Sequence, residues 1–187
     1  MAKKKSQGTP IEAVELYINA YSFRAASIVL NAHPDKHLLF WPMVVNEAFA
    51  LELFIKCLHR VRRRTLTGHD VEHLFERLSV PDRRRIAKYY QEIVVGHPLY
   101  AEFIAKGVLF DVESVLARSK DTFTRARYWH EKIRPSSDKL GIVSNAGVGS
   151  LCDAINLLTV ELRPAWGHMA ICVPMRWESK SQSTEPK

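Results

Sequence analysis

The stretch PMVVNEAFALELFIKCLHRVRR, residues 42–63, decides the fold class. Val45, Phe49, Leu51, Leu53, Phe54, Ile55, Leu58 and Val61 spread around most of a helical period, while Glu52, Lys56, His59, Arg60 and Arg63 share one stripe. A helix apolar over so much of its circumference belongs in the middle of a bundle, and Leu53 is expected inside that core. Glu52 precedes Lys56 by four residues, the favourable order for an ion pair worth about 0.3–0.5 kcal/mol on an exposed surface. On periodicity alone this is a solvated pair.

Upstream, Ile11, Val14, Ile18, Tyr21 and Ala25 recur at helical spacing. Thr9-Pro10-Ile11-Glu12 opens that helix as a capping box with proline at the first helical position, and Asn31-Ala32-His33-Pro34 closes it. Downstream, Thr67-Gly68-His69-Asp70 starts a short helix through Leu78. Ser79-Val80-Pro81-Asp82 starts another, which carries Ile86, Tyr89, Tyr90, Ile93 and Val94 to a stop at Gly96. Residues 99–106 and 108–119 read helical around the weak point Gly107, with the second pattern running on toward His130. Pro135-Ser136-Ser137 opens an irregular stretch that ends at Gly149. Ser150-Leu151-Cys152-Asp153 then caps a last helix, with Leu151, Ala154, Ile155, Leu158 and Leu162 on one face and a stop at Arg163-Pro164. Period-two alternation is confined to a short extended piece, residues 169–173. The expected fold is all-α, a single-domain bundle of four to five core helices with short helices added. Residues 1–8 form a basic N-terminal arm, 9–177 the helical domain and 178–187 a polar, disordered tail.

A chain of 187 residues with 47% hydrophobic and 25% charged residues has enough apolar surface for one core, which excludes collagen, a coiled coil and wholesale disorder. No apolar run approaches the roughly 20 residues of a membrane span. Met1-Ala2-Lys3-Lys4-Lys5 leads into polar residues and not into the apolar core of a signal peptide. The reading is a cytoplasmic protein with no membrane partner. Cys57, Cys152 and Cys172 have no metal spacing and are too few and odd in number for a disulfide framework, so reduced thiols and no cofactor are expected. The formal net charge of +7 favours polyanionic partners.

Several groups of residues carry chemistry. His69-Asp70-Val71-Glu72-His73 satisfies H-x-x-E-H, an ordering found in zinc proteases, which makes a zinc-dependent hydrolase using His69, Glu72 and His73 one alternative. The pattern lacks a third ligand and lies at a helix start, so the expectation is that no metal is bound. Arg125 and His130, five apart, are the pair that cleavage of an RNA phosphodiester by its own 2′-hydroxyl would use: imidazole moves the proton and guanidinium stabilises the phosphorane without a metal. Two clusters, Arg60, Arg62, Arg63 and Arg64 at a helix end and Arg83, Arg84 and Arg85 at a helix start, are candidates for RNA or nucleotide phosphate, together with Arg127. The first cluster is also explained by the helix dipole; the second opposes it. Gly147-Val148-Gly149-Ser150 lacks the remainder of any phosphate-binding fingerprint and reads as loop and cap, and Cys152 reads as a buried structural thiol.

The segment from Asn46 to Leu58, the Gly68-His69-Asp70 turn and Leu74-Phe75-Glu76-Arg77-Leu78 together resemble the HEPN superfamily, the higher-eukaryote and prokaryote nucleotide-binding domains. The similarity lies in an alanine-rich helix with glutamate and lysine four apart, followed by a Gly-His-Asp start to a short helix, over about 90 residues. The resemblance implies a helical bundle, a homodimer, and in many members a metal-independent endoribonuclease of toxin or defence type. Its arginine and histidine would fall on Arg125 and His130, although Ala126 departs from the polar residue usual after that arginine. Arg127-Tyr128-Trp129 with Glu131 is similar to a structural element of noncatalytic relatives. The reading is a HEPN-like domain that binds nucleotide or RNA, with endoribonuclease activity as an extension; the rival is a noncatalytic module whose basic helices serve a protein partner.

Overall fold

The computed structural model describes residues 10–119 and 147–170, and all regular structure among them is helical. Helix α1 spans Pro10–Ala32, α2 Phe40–Val61, α3 Val71–Glu76, α4 Val80–Val95, α5 Pro98–Ala105, α6 Val112–Ser119 and α7 Val148–Leu162; a 3-10 helix, Pro164–Ala170, follows. No helix among the described residues is long and apolar enough to cross a membrane. The proposed arm, the tail and the extension toward His130 lie outside the described residues, as do residues 171–173 of the expected extended piece. Met169 belongs to the 3-10 helix.

The long helices α1, α2, α4 and α7 pack side by side, α1 opposing both α2 and α7. Cys57 meets Ala13, Phe54 meets Tyr17 and Phe49 stacks on Phe23, so α2 runs back along α1. Tyr17 donates to Asn156 and Arg24 to Asp153, which sets α7 antiparallel to α1. Tyr89 and Arg85 reach Glu161 at one end of α7, and Gly147 sits against Tyr90 at the other, so α4 also opposes α7. Tyr17, Leu51, Phe54, Ile55, Leu58, Ile86, Tyr90, Leu151, Ile155 and Leu158 form one continuous, fully buried core. The short α3 closes the core beside α2 with Leu74 and Phe75, and Trp166 covers Tyr17 from below, 5.3 Å between ring centroids.

Local chemistry explains the boundaries. Ser79 accepts from the Asp82 amide at 3.2 Å and caps α4, and Asp70 accepts from the His73 amide at 3.1 Å and caps α3. The helix expected from Thr67 therefore begins only at Val71, leaving His69 in the preceding loop. Gly107 takes φ +79° and ends α5, so the next helix starts at Val112 and not at Val108. At the last helix the expected cap moves: Gly147, at φ +96°, is the N-cap, and Ser150 lies buried in the first turn, 2.7 Å from the Tyr100 hydroxyl. A side chain at Gly147 would press a Cβ to 2.5 Å from that Tyr90 hydroxyl and 3.0 Å from Val115.

Three assignments on α2 are corrected. Leu53 is only partly buried at the core's edge, whereas His59 and Glu52, placed by periodicity on the polar stripe, are 1% and 7% exposed. Periodicity gives a residue's direction around its own helix; it does not show that α3 and its leading loop cover that direction.

Candidate functional site

The two arginine clusters, twenty residues apart in sequence, meet at one end of the bundle. Arg62 donates to both oxygens of Asp82, at 2.6 and 3.1 Å, clipping the end of α2 to the start of α4. Burial alone would raise the Asp82 carboxyl; bonds from Arg62 and Ser79 outweigh it and hold the group below the ordinary carboxylate range. Arg60 pairs with Glu12 at 3.2 Å and donates to Thr65 at 2.6 Å, Arg64 donates to the Arg77 carbonyl at 3.4 Å, and Arg85 pairs with Glu161 of α7. Of the second cluster, Arg85 thus has a structural account that the helix dipole does not give. Arg63, Arg77 and Arg84 are exposed and have no carboxylate partner among the described residues, and the Arg83 Nε is buried without a hydrogen-bond acceptor there.

Arg63 also carries strain. The Arg64 amide donates to the His59 carbonyl at 2.7 Å and the Arg63 amide to the Arg60 carbonyl at 2.8 Å, the pair of bonds that ends a helix in a Schellman motif. The left-handed position of that motif usually belongs to glycine; here Arg63 holds it at φ +58°, at a cost of about 1 kcal/mol.

A second cluster sits farther back along α2. The carboxylate of Glu52, whose side chain is 9% exposed, accepts from Lys56 at 2.5 Å and lies 3.0 and 3.1 Å from Nδ1 of His69. The resemblance-bearing residues of the helix and of the Gly-His-Asp turn therefore converge on one carboxylate, and the pair read as solvated is mostly buried. His69 points to α2 and precedes α3, so it and His73 do not share a helix face as metal ligands would. Among the described residues no three His, Cys, Asp or Glu side chains gather around a metal position.

A third cluster lies inside the bundle. Arg24, 12% exposed, forms two parallel bonds to Asp153, each 2.8 Å, and reaches Glu47 at 3.3 Å and Ser27 at 3.0 Å. Burial opposes the charge on Arg24, and Asp153 with Glu47 more than offsets it, so the guanidinium stays protonated. Gly149 makes room: a Cβ there would stand 2.8 Å from Glu47 Oε1 and 3.0 Å from both Arg24 terminal nitrogens. The sequence signal for this cluster is a single arginine inside the apolar run SFRAASIVL, residues 22–30, matched by a lone aspartate in α7. Nearby, Cys152 is fully buried and donates to the Glu47 carbonyl at 3.7 Å; burial pushes its thiol well up, and that of Cys57 up to about 12, so neither is a reactive thiolate.

Arg125, Arg127 and His130 lie outside the described residues. Comparison with protein-family models, with curated proteins and with solved structures finds no match to this chain.

Proposed function

We propose that the chain is a HEPN-like helical domain that binds RNA, or a nucleotide, through the joined arginine surface at the ends of α2 and α4. One observation carries this reading: the Arg62–Asp82 clip merges two clusters into a single basic surface on which Arg63, Arg77 and Arg84 keep no carboxylate partner among the described residues. Cations used only for stability are neutralised locally, as Arg60, Arg62 and Arg85 are. Arg63 instead holds a strained backbone while pointing its charge at solvent, a combination that fold stability alone disfavours. The +7 net charge adds a long-range attraction for phosphate.

Fluorescence anisotropy with a short single-stranded RNA tests the reading. The double variant Arg63→Ala, Arg84→Ala should bind more weakly at fixed salt while melting at the wild-type temperature or above. Wild-type protein that does not bind RNA or nucleotide would leave the protein-partner module as the better account. Arg62→Ala is a poor probe, because it also orphans the buried Asp82.

A further inference from the structure

Arg62-Arg63-Arg64-Thr65-Leu66 opens the connection from α2 to α3, in which residues 62–70 form neither helix nor strand. Thr65 and the three arginines before it are all exposed. Arginines one, two and three residues ahead of a hydroxyl, with an apolar residue directly after it, are what an acidic kinase cleft reads by charge and by paired guanidinium bonds. Thr67, two residues on, lacks the pattern, because the residue two before it is Thr65 itself. The fold also prepares a place for the phosphate. Arg60 Nη1 donates to Thr65 Oγ1 at 2.6 Å, and Arg63 is exposed with no carboxylate partner among the described residues. Glu12, which also pairs with Arg60, is 48% exposed and can turn to water at little cost.

Access to the hydroxyl needs only a local opening. Arg62 keeps 42% of its side chain exposed while bonded to Asp82. Leu66 is partly buried against the core and must lift, and the left-handed Arg63, at φ +58°, relaxes as the loop opens, which offsets part of that cost. We propose that Thr65 is a phosphorylation site for an arginine-directed serine/threonine kinase, and that its phosphate switches off the arginine surface; the switch rests on the RNA-binding reading above. A nucleoside triphosphate supplies the γ-phosphoryl group. The Thr65 Oγ–P bond forms as the bond from the γ-phosphorus to its bridging oxygen breaks, the hydroxyl proton passes to the kinase's base, and nucleoside diphosphate leaves. The new group brings about 1.5 to 2 negative charges and three strong acceptor oxygens. The C-terminal end of α2 disfavours negative charge, but the four guanidinium groups of Arg60, Arg62, Arg63 and Arg64 outweigh that partial charge. Arginines that pair with an internal phosphate no longer serve one from RNA.

The experiment treats the full chain with magnesium ATP and a purified serine/threonine kinase that requires arginine two and three residues before its acceptor. Mass spectrometry should place the phosphate on Thr65; Thr65→Val should abolish its incorporation there and Thr67→Val should leave it. Phosphorus NMR of the modified protein should show the phosphate titrating below its ordinary second pKa of about 6, and Arg60→Gln should move it back toward that value. The modified protein should bind a short single-stranded RNA about tenfold more weakly, with a slope of log affinity against log salt shallower by about 1.4. Unmodified Thr65→Val should bind within about twofold of wild type, which assigns the loss to the phosphate and not to the missing hydroxyl. No phosphate on Thr65, phosphate on Thr67 in its place, or an ordinary phosphate pKa would overturn the site. RNA affinity unchanged by the phosphate would overturn the switch. Unmodified protein that binds no RNA would overturn the switch together with the RNA-binding reading, while a phosphate on Thr65 with a lowered pKa would still establish the site.

Discussion

Arg63 holds φ +58° where a Schellman turn is relaxed with glycine, and that makes it the most informative single residue. Arg63→Gly should raise stability by about 1 kcal/mol, read as an increased Tm, and weaken RNA binding in the same protein. A purely structural arginine would give a loss, or no change, in both. His59 makes the opposite kind of test. Burial, with the charges of Arg64 and Arg77, holds its imidazole below the ordinary histidine range, against the opposing pull of the Leu74 carbonyl. The unfolded chain therefore binds the proton more readily, and stability should fall as pH drops below about 6.5 toward the depressed folded value. His59→Gln should flatten that part of the Tm-against-pH curve, and an unchanged slope would show that the imidazole is not the responsible group. The depressed Asp82 carboxyl adds a separate loss at lower pH, since its contribution is present above about 3.9 and disappears as pH falls through its folded value.

Among the elements, α2 and α7 place the most residues in the buried interior. Leu58 and Phe54 on α2 are fully buried, so Leu58→Ala should cost about 2–5 kcal/mol in denaturant unfolding; Leu53→Ala, at the core's edge, should cost less. On α7, Gly147→Ala combines a left-handed backbone with a Cβ 2.5 Å from the Tyr90 hydroxyl, and overpacking of this kind costs about 1–3 kcal/mol. A wild-type Tm in that variant would contradict the close approach of α4 to the start of α7. Helix starts were legible where a side chain caps, as at Ser79, and misplaced where backbone geometry does the work, as at Gly147. The expectation that Ser150 caps failed because its hydroxyl meets Tyr100, 50 residues away in the chain. Likewise, the Glu52–Lys56 pair could be read from spacing, but its burial depends on a loop that returns His69 across α2.

Across the whole molecule, the all-α bundle was legible because four long apolar periods can bury their faces only against one another. The ion pairs that join those helices were not, since Arg24 with Asp153 and Arg62 with Asp82 are 129 and 20 residues apart and nothing local marks them as partners. Removing Arg24 should show how much they matter: Arg24→Ala takes both guanidinium bonds from the mostly buried Asp153 carboxylate and should cost about 3–5 kcal/mol by denaturant titration. On the proposed function, the arginines at the ends of α2 and α4 serve binding instead, and the salt dependence of RNA affinity tests them directly. The slope of log affinity against log salt should be negative for wild-type protein, and shallower by about 1.4 when Arg63 and Arg84 are both replaced by alanine, at about 0.7 per phosphate contact on a single strand. A wild-type affinity indifferent to salt, or a slope unchanged by the double replacement, would contradict the assignment of that surface to RNA.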